Sequence, residues 1–229
     1  MTSPRLMAIG DIHGCDRALE TLLQKLDITS DDTLIILGDM INRGANSRRV
    51  IEMLLEMQKA CHLVTIKGNH EEMVLEVVKG RKPAHLWMEY GGKSTLESYG
   101  GSISNIPKTH IDFMEDCLPY FETEQYVFTH ANLEPGVALG DQDKQFLRWQ
   151  KFKKNQPVWE EGRTVVVGHT PQSSGLPALI DGWMCIDTYA YAGMMLTAAD
   201  LTNDLFYQTH TNGNFRATFS YDELRMLMA

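Results

Sequence analysis

The sequence predicts an α/β fold built on a parallel βαβ core, and three observations carry that prediction. Apolar runs of strand length recur early in the chain, each closed by a polar motif containing glycine. Each of the first three runs is followed by a segment whose apolar residues repeat at helical spacing. Successive strand–motif–helix units are the sequence form of a right-handed parallel sheet.

In the first unit, "RLMAI" runs into "GDIHG" and then "CDRALETLLQKL", where Leu19, Leu22, Leu23 and Leu26 share one face. In the second, "TLIIL" ends in "GDMINRG", and "SRRVIEMLLEM" follows with Val50, Ile51, Leu54 and Leu55 as its apolar stripe. In the third, "HLVTI" ends in "KGNHE" before "EEMVLEVV", a helix whose first-turn glutamates suit its dipole. The stretch from Gly80 to Glu124 breaks the rhythm. It holds "WMEYGGKSTLESYGGS" and other helical fragments without a clear strand, and is expected to be a helical cap insertion. Alternation resumes with "QYVFTHA" and, after the basic-aromatic "FLRWQKFKKN", with "RTVVVGHT". In the last third "GWMCIDT", "MMLTAADL" and "DLFYQT" are short runs separated by turn pairs, Asp181–Gly182 and Asn203–Asp204, which predicts antiparallel pairing. No repeat or linker interrupts the chain, so a single domain over residues 1–229 is expected.

Composition limits what such a domain does. The formal net charge of -9 disfavours nucleic acid or an anionic membrane as principal partner, because both require a basic surface. Cys15, Cys61, Cys117 and Cys185 are scattered without zinc-type spacing, which fits a reduced compartment. "MTSPRLMAIGD" lacks a signal-peptide pattern and no apolar run is long enough to span a bilayer, so the cytoplasm is the expected location.

Chemistry gathers at the strand ends. In open α/β sheets, ligands bind beyond the carboxyl ends of the strands. Here five predicted strands end in Asp11 and His13, in Asp39, in Asn69 and His70, in His130 and in His169. Asp11 and His13 lie two apart on an extended segment and so point the same way. Each residue alone also suits a cap or a loop. Five strand ends delivering imidazole, carboxylate or carboxamide together predict a metal site. The absence of cysteine disfavours a closed structural zinc site, and mixed nitrogen and oxygen donors suit Mn²⁺, Fe, Zn²⁺ or Ni²⁺ with open positions for water. Six or so donors exceed the needs of one catalytic ion, so two divalent ions sharing a carboxylate is the economical arrangement. Such ions, about 3.5–4 Å apart, clamp a phosphoryl group and generate hydroxide near neutral pH.

"GDIHG", "GDMINRG", "IKGNHE", "FTHANL" and "VVVGHT" resemble, in order, the signature blocks of calcineurin-like metallophosphoesterases. "GDIHG" with "KGNHE" is most similar to the phosphoprotein-phosphatase branch, and within it to the small bacterial and lambda-phage type. The resemblance runs from about Leu6 to Asp200 and implies a four-layer α/β/β/α sandwich with a dinuclear site between its loops. It implies that Asp11 and His13 bind the first ion, that Asp39 bridges both, and that Asn69, His130 and His169 complete the set of ligands to the second ion. It further implies that His70 is the general acid, that Arg43 binds phosphate oxygens, and that metal-activated hydroxide attacks in line. Mn²⁺ is the ion expected first, with Fe, Zn²⁺, Ni²⁺ or Mg²⁺ also suited to the set. A second phosphate-binding residue is expected in "FLRWQKF", either Arg148 or Lys151.

One residue departs from the pattern. Phosphoprotein phosphatases usually carry aspartate where this chain has Asn42, and that aspartate favours the protonated catalytic histidine. The symmetrical diadenosine-tetraphosphate hydrolases resemble this chain in lacking it. Asn42 can orient His70 by a hydrogen bond but adds no negative charge. The first expectation is therefore a serine/threonine protein phosphatase acting on phosphorylated protein, peptide or small phosphoester. The alternative is a symmetrical dinucleoside-tetraphosphate hydrolase, and a third is an inactive phosphate-binding module. Asp187 is expected to support the site rather than ligate, and Lys67 to be structural or electrostatic support.

Overall fold

The structure, a computed structural model, describes residues 3–153, 155–159 and 162–228. Its first half follows the predicted alternation. Strand β1 (Leu6–Ile9) leads to helix α1 (Asp16–Leu26), β2 (Thr33–Ile36) to α2 (Ser47–Ala60), and β3 (His62–Thr65) to α3 (Asn69–Val78). A helical excursion follows: α4 (Ala84–Trp87), a π-helical turn (Met88–Gly92), α5 (Lys93–Ser98) and α6 (Lys108–Glu115). The chain continues through β4 (Tyr120–Glu122), β5 (Tyr126–Thr129), α7 (Lys144–Trp149), β6 (Thr164–Val167), β7 (Ala178–Ile180) and β8 (Trp183–Cys185). It ends with β9 (Met195–Asp200), β10 (Leu205–His210), β11 (Phe215–Ser220) and α8 (Tyr221–Met228).

Two sheets form, in the orders β11-β10-β9-β1-β2-β3 and β4-β5-β6-β8-β7. Strands β1, β2 and β3 are parallel, with Ile9 beside Ile36 and Ile36 beside Thr65, so the loops after them leave from one edge. Strands β5, β6 and β8 are likewise parallel, with Phe128 beside Val166 and Val166 beside Met184. The strand alternation that puts successive side chains on opposite faces then builds the layers. Met7, Ile9, Leu34 and Ile36 pack against α1 and α2 on one face of the first sheet. Ala8, Ile35 and Val64 on its other face meet Phe128, Val166 and Met184 of the second sheet. Val127, Val165 and Val167 face outward, onto Leu133, Leu147 of α7 and Phe152. This is the four-layer sandwich expected, with its fourth layer thin: α7 and the loops around it.

The structure corrects three expectations. Strand β4 lies inside the stretch read as strandless, paired antiparallel with β5. β8, from "GWMCIDT", joins β6 in parallel and pairs antiparallel only with β7, whereas β9 and β10 are antiparallel as expected. β7 and the edge strand β11 were not expected at all. None of the four cysteines is paired, and no helix among the described residues is long and apolar enough to cross a membrane.

Candidate metal centre

The parallel registers bring the loops carrying Asp11, His13, Asp39, Asn69, His70, His130 and His169 to one place between the sheets. The backbone there is strained. His13, Asp39, Asn42, Arg43 and His169 all have positive φ, from 47° to 72°. Such a conformation costs a non-glycine residue roughly 1–2 kcal/mol, so the surroundings must impose it. Hydrogen bonds between loops do so: Ile12 and His13 N–H groups donate to Asp39 O, Gly14 N–H to Met40 O, and Arg43 N–H to Gly91 O. Two motif glycines have a packing reason. A Cβ at Gly68 would collide with the Asp39 carboxylate, and one at Gly168 with that of Asp11.

Hydrogen bonds at the outer nitrogens fix three of the histidine tautomers. His13 Nδ1 lies 2.9 Å from Ile41 O, His130 Nδ1 2.7 Å from Leu37 O, and His169 Nε2 3.2 Å from Trp149 O. A carbonyl only accepts, so each of those nitrogens carries the proton and donates. The inner nitrogen of each ring is then a lone pair aimed at the centre, the arrangement of metal-ligating imidazoles. Oxygens meet these lone pairs. His13 Nε2 is 3.5 Å from Asp39 Oδ2 and 3.9 Å from Asp11 Oδ2, and His130 Nε2 is 3.4 Å from Asp39 Oδ1. Asn69 Oδ1 lies 3.1 Å from His130 Nε2 and 3.2 Å from His169 Nδ1. In that orientation the amide oxygen faces only acceptors; turned over, its NH₂ would donate to them. Electron pairs converging on one point suit a cation there. Asp39, with one oxygen toward each group of donors, is placed to be shared. His13, Asp39 and His70 form one compact set of potential ligands, and Asp39, His130 and His169 another.

Burial sharpens the electrostatics. Loss of water pushes Asp39 and Asp187 up to about 7, and, with Asp187 and Asp39 alongside, pushes Asp11 well above the carboxylate range. It lowers His130 to about 4 and His169 to about 3, and holds His13 well below its usual value, with Arg43 adding to the effect. Carboxylates that resent ionisation and imidazoles kept neutral are a donor set that divalent cations satisfy. Arg43 Nη1, 2.9 Å from His13 Nε2, stands where a cation would otherwise meet that lone pair. Its guanidinium also lies 4.2 Å from the centroid of the Tyr191 ring.

His70 is different in kind. Its Nδ1 lies 2.7 Å from Asn42 Nδ2. The Asn42 oxygen is already fixed as an acceptor by the Trp87 indole N–H at 3.0 Å and the Thr95 hydroxyl at 2.8 Å. An indole N–H can only donate, so the Asn42 NH₂ must donate to His70. His70 Nδ1 is therefore unprotonated and its Nε2 carries the proton, 3.7 Å from Asp39 Oδ2 and with no hydrogen-bond partner. Although His70 lies within ligand distance of Asp39, its tautomer presents a donor, not a lone pair.

Three site features escaped the sequence. Trp87 and Thr95 come from the cap to orient Asn42. Glu71, read as a helix-dipole residue, is wholly buried and accepts the N–H groups of Asp39, Met40 and Gly68 at 2.8, 2.9 and 3.0 Å, clamping two ligand loops. Glu71→Gln replaces one accepting oxygen by a donor that faces N–H groups. It is expected to cost about 2–3 kcal/mol, hence to lower the melting temperature by roughly 5–10 °C; an unchanged value would contradict the clamp. Arg148 sits apart from the cleft over the metal centre: it is nearly buried, and its Nη1 is 2.6 Å from Glu72 Oε1. Lys151 lines the cleft instead; Lys154 falls outside the described residues. Lys67 donates to Glu115 O at 2.7 Å, a structural contact. Asp187 is buried beside the centre, accepting from Tyr189 N–H at 3.1 Å, with its second oxygen unpartnered.

Comparison with known proteins identifies the family. A symmetrical bis(5'-nucleosyl)-tetraphosphatase from Cellvibrio japonicus is 28% identical over 169 residues, covering 67% of this chain and 60% of its own length. An asymmetrical bis(5'-nucleosyl)-tetraphosphatase from Oceanobacillus iheyensis is 26% identical over 221 residues, covering 83% and 86%. Among solved structures, a candidate diadenosine tetraphosphatase superposes with a TM-score of 0.70 at 21% identity, covering 91% of this chain and 94% of its own. A serine/threonine phosphatase from Saccharomyces cerevisiae gives 0.63 at 17% identity, covering 86% and 72%. Residues 4–191, which contain every donor described above, match the calcineurin-like phosphoesterase family. The chain belongs to that family.

Proposed function

We propose that this protein hydrolyses phosphoanhydrides, with dinucleoside tetraphosphates as its substrate class, rather than phosphoserine or phosphothreonine esters. In this reading Asp11, His13 and Asp39 hold one divalent ion, and Asp39, Asn69, His130 and His169 hold a second. Bound there, the ions would supply Lewis acidity to the phosphoryl oxygens and a nucleophile derived from water. Arg43 offers its planar fork to phosphate oxygens, with Lys151 as the further cation at the cleft. His70 would offer its otherwise unpartnered Nε2–H to the departing oxygen.

The observation that carries the choice is the direction of the Asn42–His70 hydrogen bond. A neutral imidazole held as the Nε2–H tautomer donates a hydrogen bond well but releases a proton poorly. Becoming imidazolium would put an N–H at Nδ1 against the Asn42 NH₂. An ester of serine leaves as an alkoxide comparable in basicity to hydroxide, whose parent water has a pKa of about 15.7, and it needs that proton. A nucleotide leaves as a phosphate whose pKa lies near about 6 and departs without it. The protein-phosphatase reading ranked first from sequence therefore falls behind its alternative, and two relatives named as tetraphosphatases favour the same order. Turnover of diadenosine tetraphosphate and of a phosphothreonine peptide, compared with Mn²⁺ present, tests this. A preference for the dinucleotide of at least about a hundredfold in kcat/KM is expected, from the 10²–10⁴ that a general acid contributes; preference for the peptide would overturn it.

A further inference from the structure

We infer that the apolar pocket beside the metal cleft is a subsite for an amino-purine base of the substrate, with Tyr90 and Trp149 as its doorway. The inference deepens the reading above and rests on it for the identity of the phosphate chain.

The metal cleft, of about 570 Å³, has Asp39, Asn69 and His169 among its lining residues and is flanked by Arg43 and Lys151. Tyr90 and Trp149 also line it, and the same two rings line a second pocket of about 240 Å³. That pocket lies between α3 and α4, with Met73, Val77, Leu86 and Trp87 in its walls. Phosphate chemistry and an apolar, aromatic recess thus adjoin through shared side chains. The Tyr90 ring stands edge to face with that of His70, centroids 6.4 Å apart, so the recess borders the catalytic histidine.

The doorway is built rather than incidental. Tyr90 and Trp149 meet edge to face, 6.2 Å apart and at 83°, and Tyr90 remains 45% exposed. Trp149 is anchored through its indole N–H to Glu72 Oε2 at 3.0 Å, so its ring is ordered before any ligand arrives. Leu86, also at this pocket, is 43% exposed, so with Tyr90 it gives the recess an exposed apolar rim. The other aromatic residues at the cleft, Tyr189 and Tyr191, are less suited to a base, because they pack edge to face on each other and Arg43 already stacks on Tyr191. Glu89 at the same pocket supplies a carboxylate, which accepts from the exocyclic amine of adenine or guanine.

The test uses competitive inhibition of p-nitrophenyl phosphate turnover by the Mn²⁺-loaded protein, so that it does not require cleavage of a dinucleotide. ADP and pyrophosphate each carry two linked phosphates, and ADP adds a nucleoside at one end; substitutions at Tyr90 and Trp149 separate the contribution of the base from that of the ribose and the charge. Stacking on one aromatic platform is expected to lower the inhibition constant of ADP by roughly 10- to 100-fold relative to pyrophosphate. Tyr90→Ala, at an exposed position, should shrink that ratio to within about threefold, and Trp149→Phe, with its Glu72 bond lost, should shrink it partly. Equal inhibition by ADP and pyrophosphate in the wild-type protein would overturn the inference. So would a wild-type ratio that survives both substitutions, or a phosphothreonine peptide that binds more tightly than ADP. Preference for ADP without cleavage of diadenosine tetraphosphate would leave the base pocket standing and remove the proposed reaction.

Discussion

Asp39→Asn is expected to leave the sandwich folded and to lower kcat by about a thousandfold or more, with bound metal falling from about two ions per chain to about one. The reason is the use made of both oxygens. Oδ1 faces His130 Nε2 at 3.4 Å, and Oδ2 faces His13 Nε2 at 3.5 Å. Oδ1 also accepts the His70 backbone N–H at 3.0 Å, which sets the orientation of the carboxylate. An amide presents one oxygen, so it can serve one set of donors while its NH₂ turns toward the other. The size is close to that of the native side chain, so packing around Gly68 is preserved. Elemental analysis of the purified variant, beside kcat for diadenosine tetraphosphate, checks both parts. Retention of two ions with full activity would show that Asp39 is not shared.

Asn42→Asp is expected to raise kcat/KM for a phosphothreonine peptide by about ten- to a hundredfold, within the 10²–10⁴ that general acid catalysis supplies. Diadenosine tetraphosphate hydrolysis should change by no more than about threefold. The pocket accepts the replacement: one oxygen can keep the contacts from the Trp87 indole and the Thr95 hydroxyl, now at 3.0 and 2.8 Å. The other oxygen replaces the NH₂ beside His70 Nδ1 and can accept a proton there. The added negative charge then favours imidazolium, so Nε2–H becomes a competent acid. A gain for the ester alone ties His70 to leaving-group protonation. A slower or unchanged ester reaction would remove His70 from that role.

What the sequence revealed depended on whether a signal was local. Asp11, His13, Asp39, Asn69, His130 and His169 were legible because each follows an apolar run within four residues, and parallel register does the rest. The short strand β7 was lost in the turn-rich region, and β11 alternates between half-buried and exposed residues, leaving little apolar contrast. The partners of Asn42 lie 45 and 53 residues away, in the cap, and no residue type announces that link. Glu71 looked like one of two equivalent first-turn glutamates. Only the fold turns one inward onto backbone N–H groups while Glu72 takes Arg148 and Trp149. Arg148, a reasonable phosphate ligand by position, has its Nη1 taken by Glu72, a pairing no residue type in the sequence announces. The histidine tautomers depend on the carbonyls of Leu37, Ile41 and Trp149, whose side chains carry no hint of it.

The decisive measurement is anomalous diffraction at the manganese edge from crystals grown with Mn²⁺. Two peaks about 3.5–4 Å apart are expected, one against Asp11 and His13, the other against Asn69, His130 and His169, with the Asp39 carboxylate touching both. One peak alone, or peaks remote from these side chains, would contradict the shared-carboxylate centre.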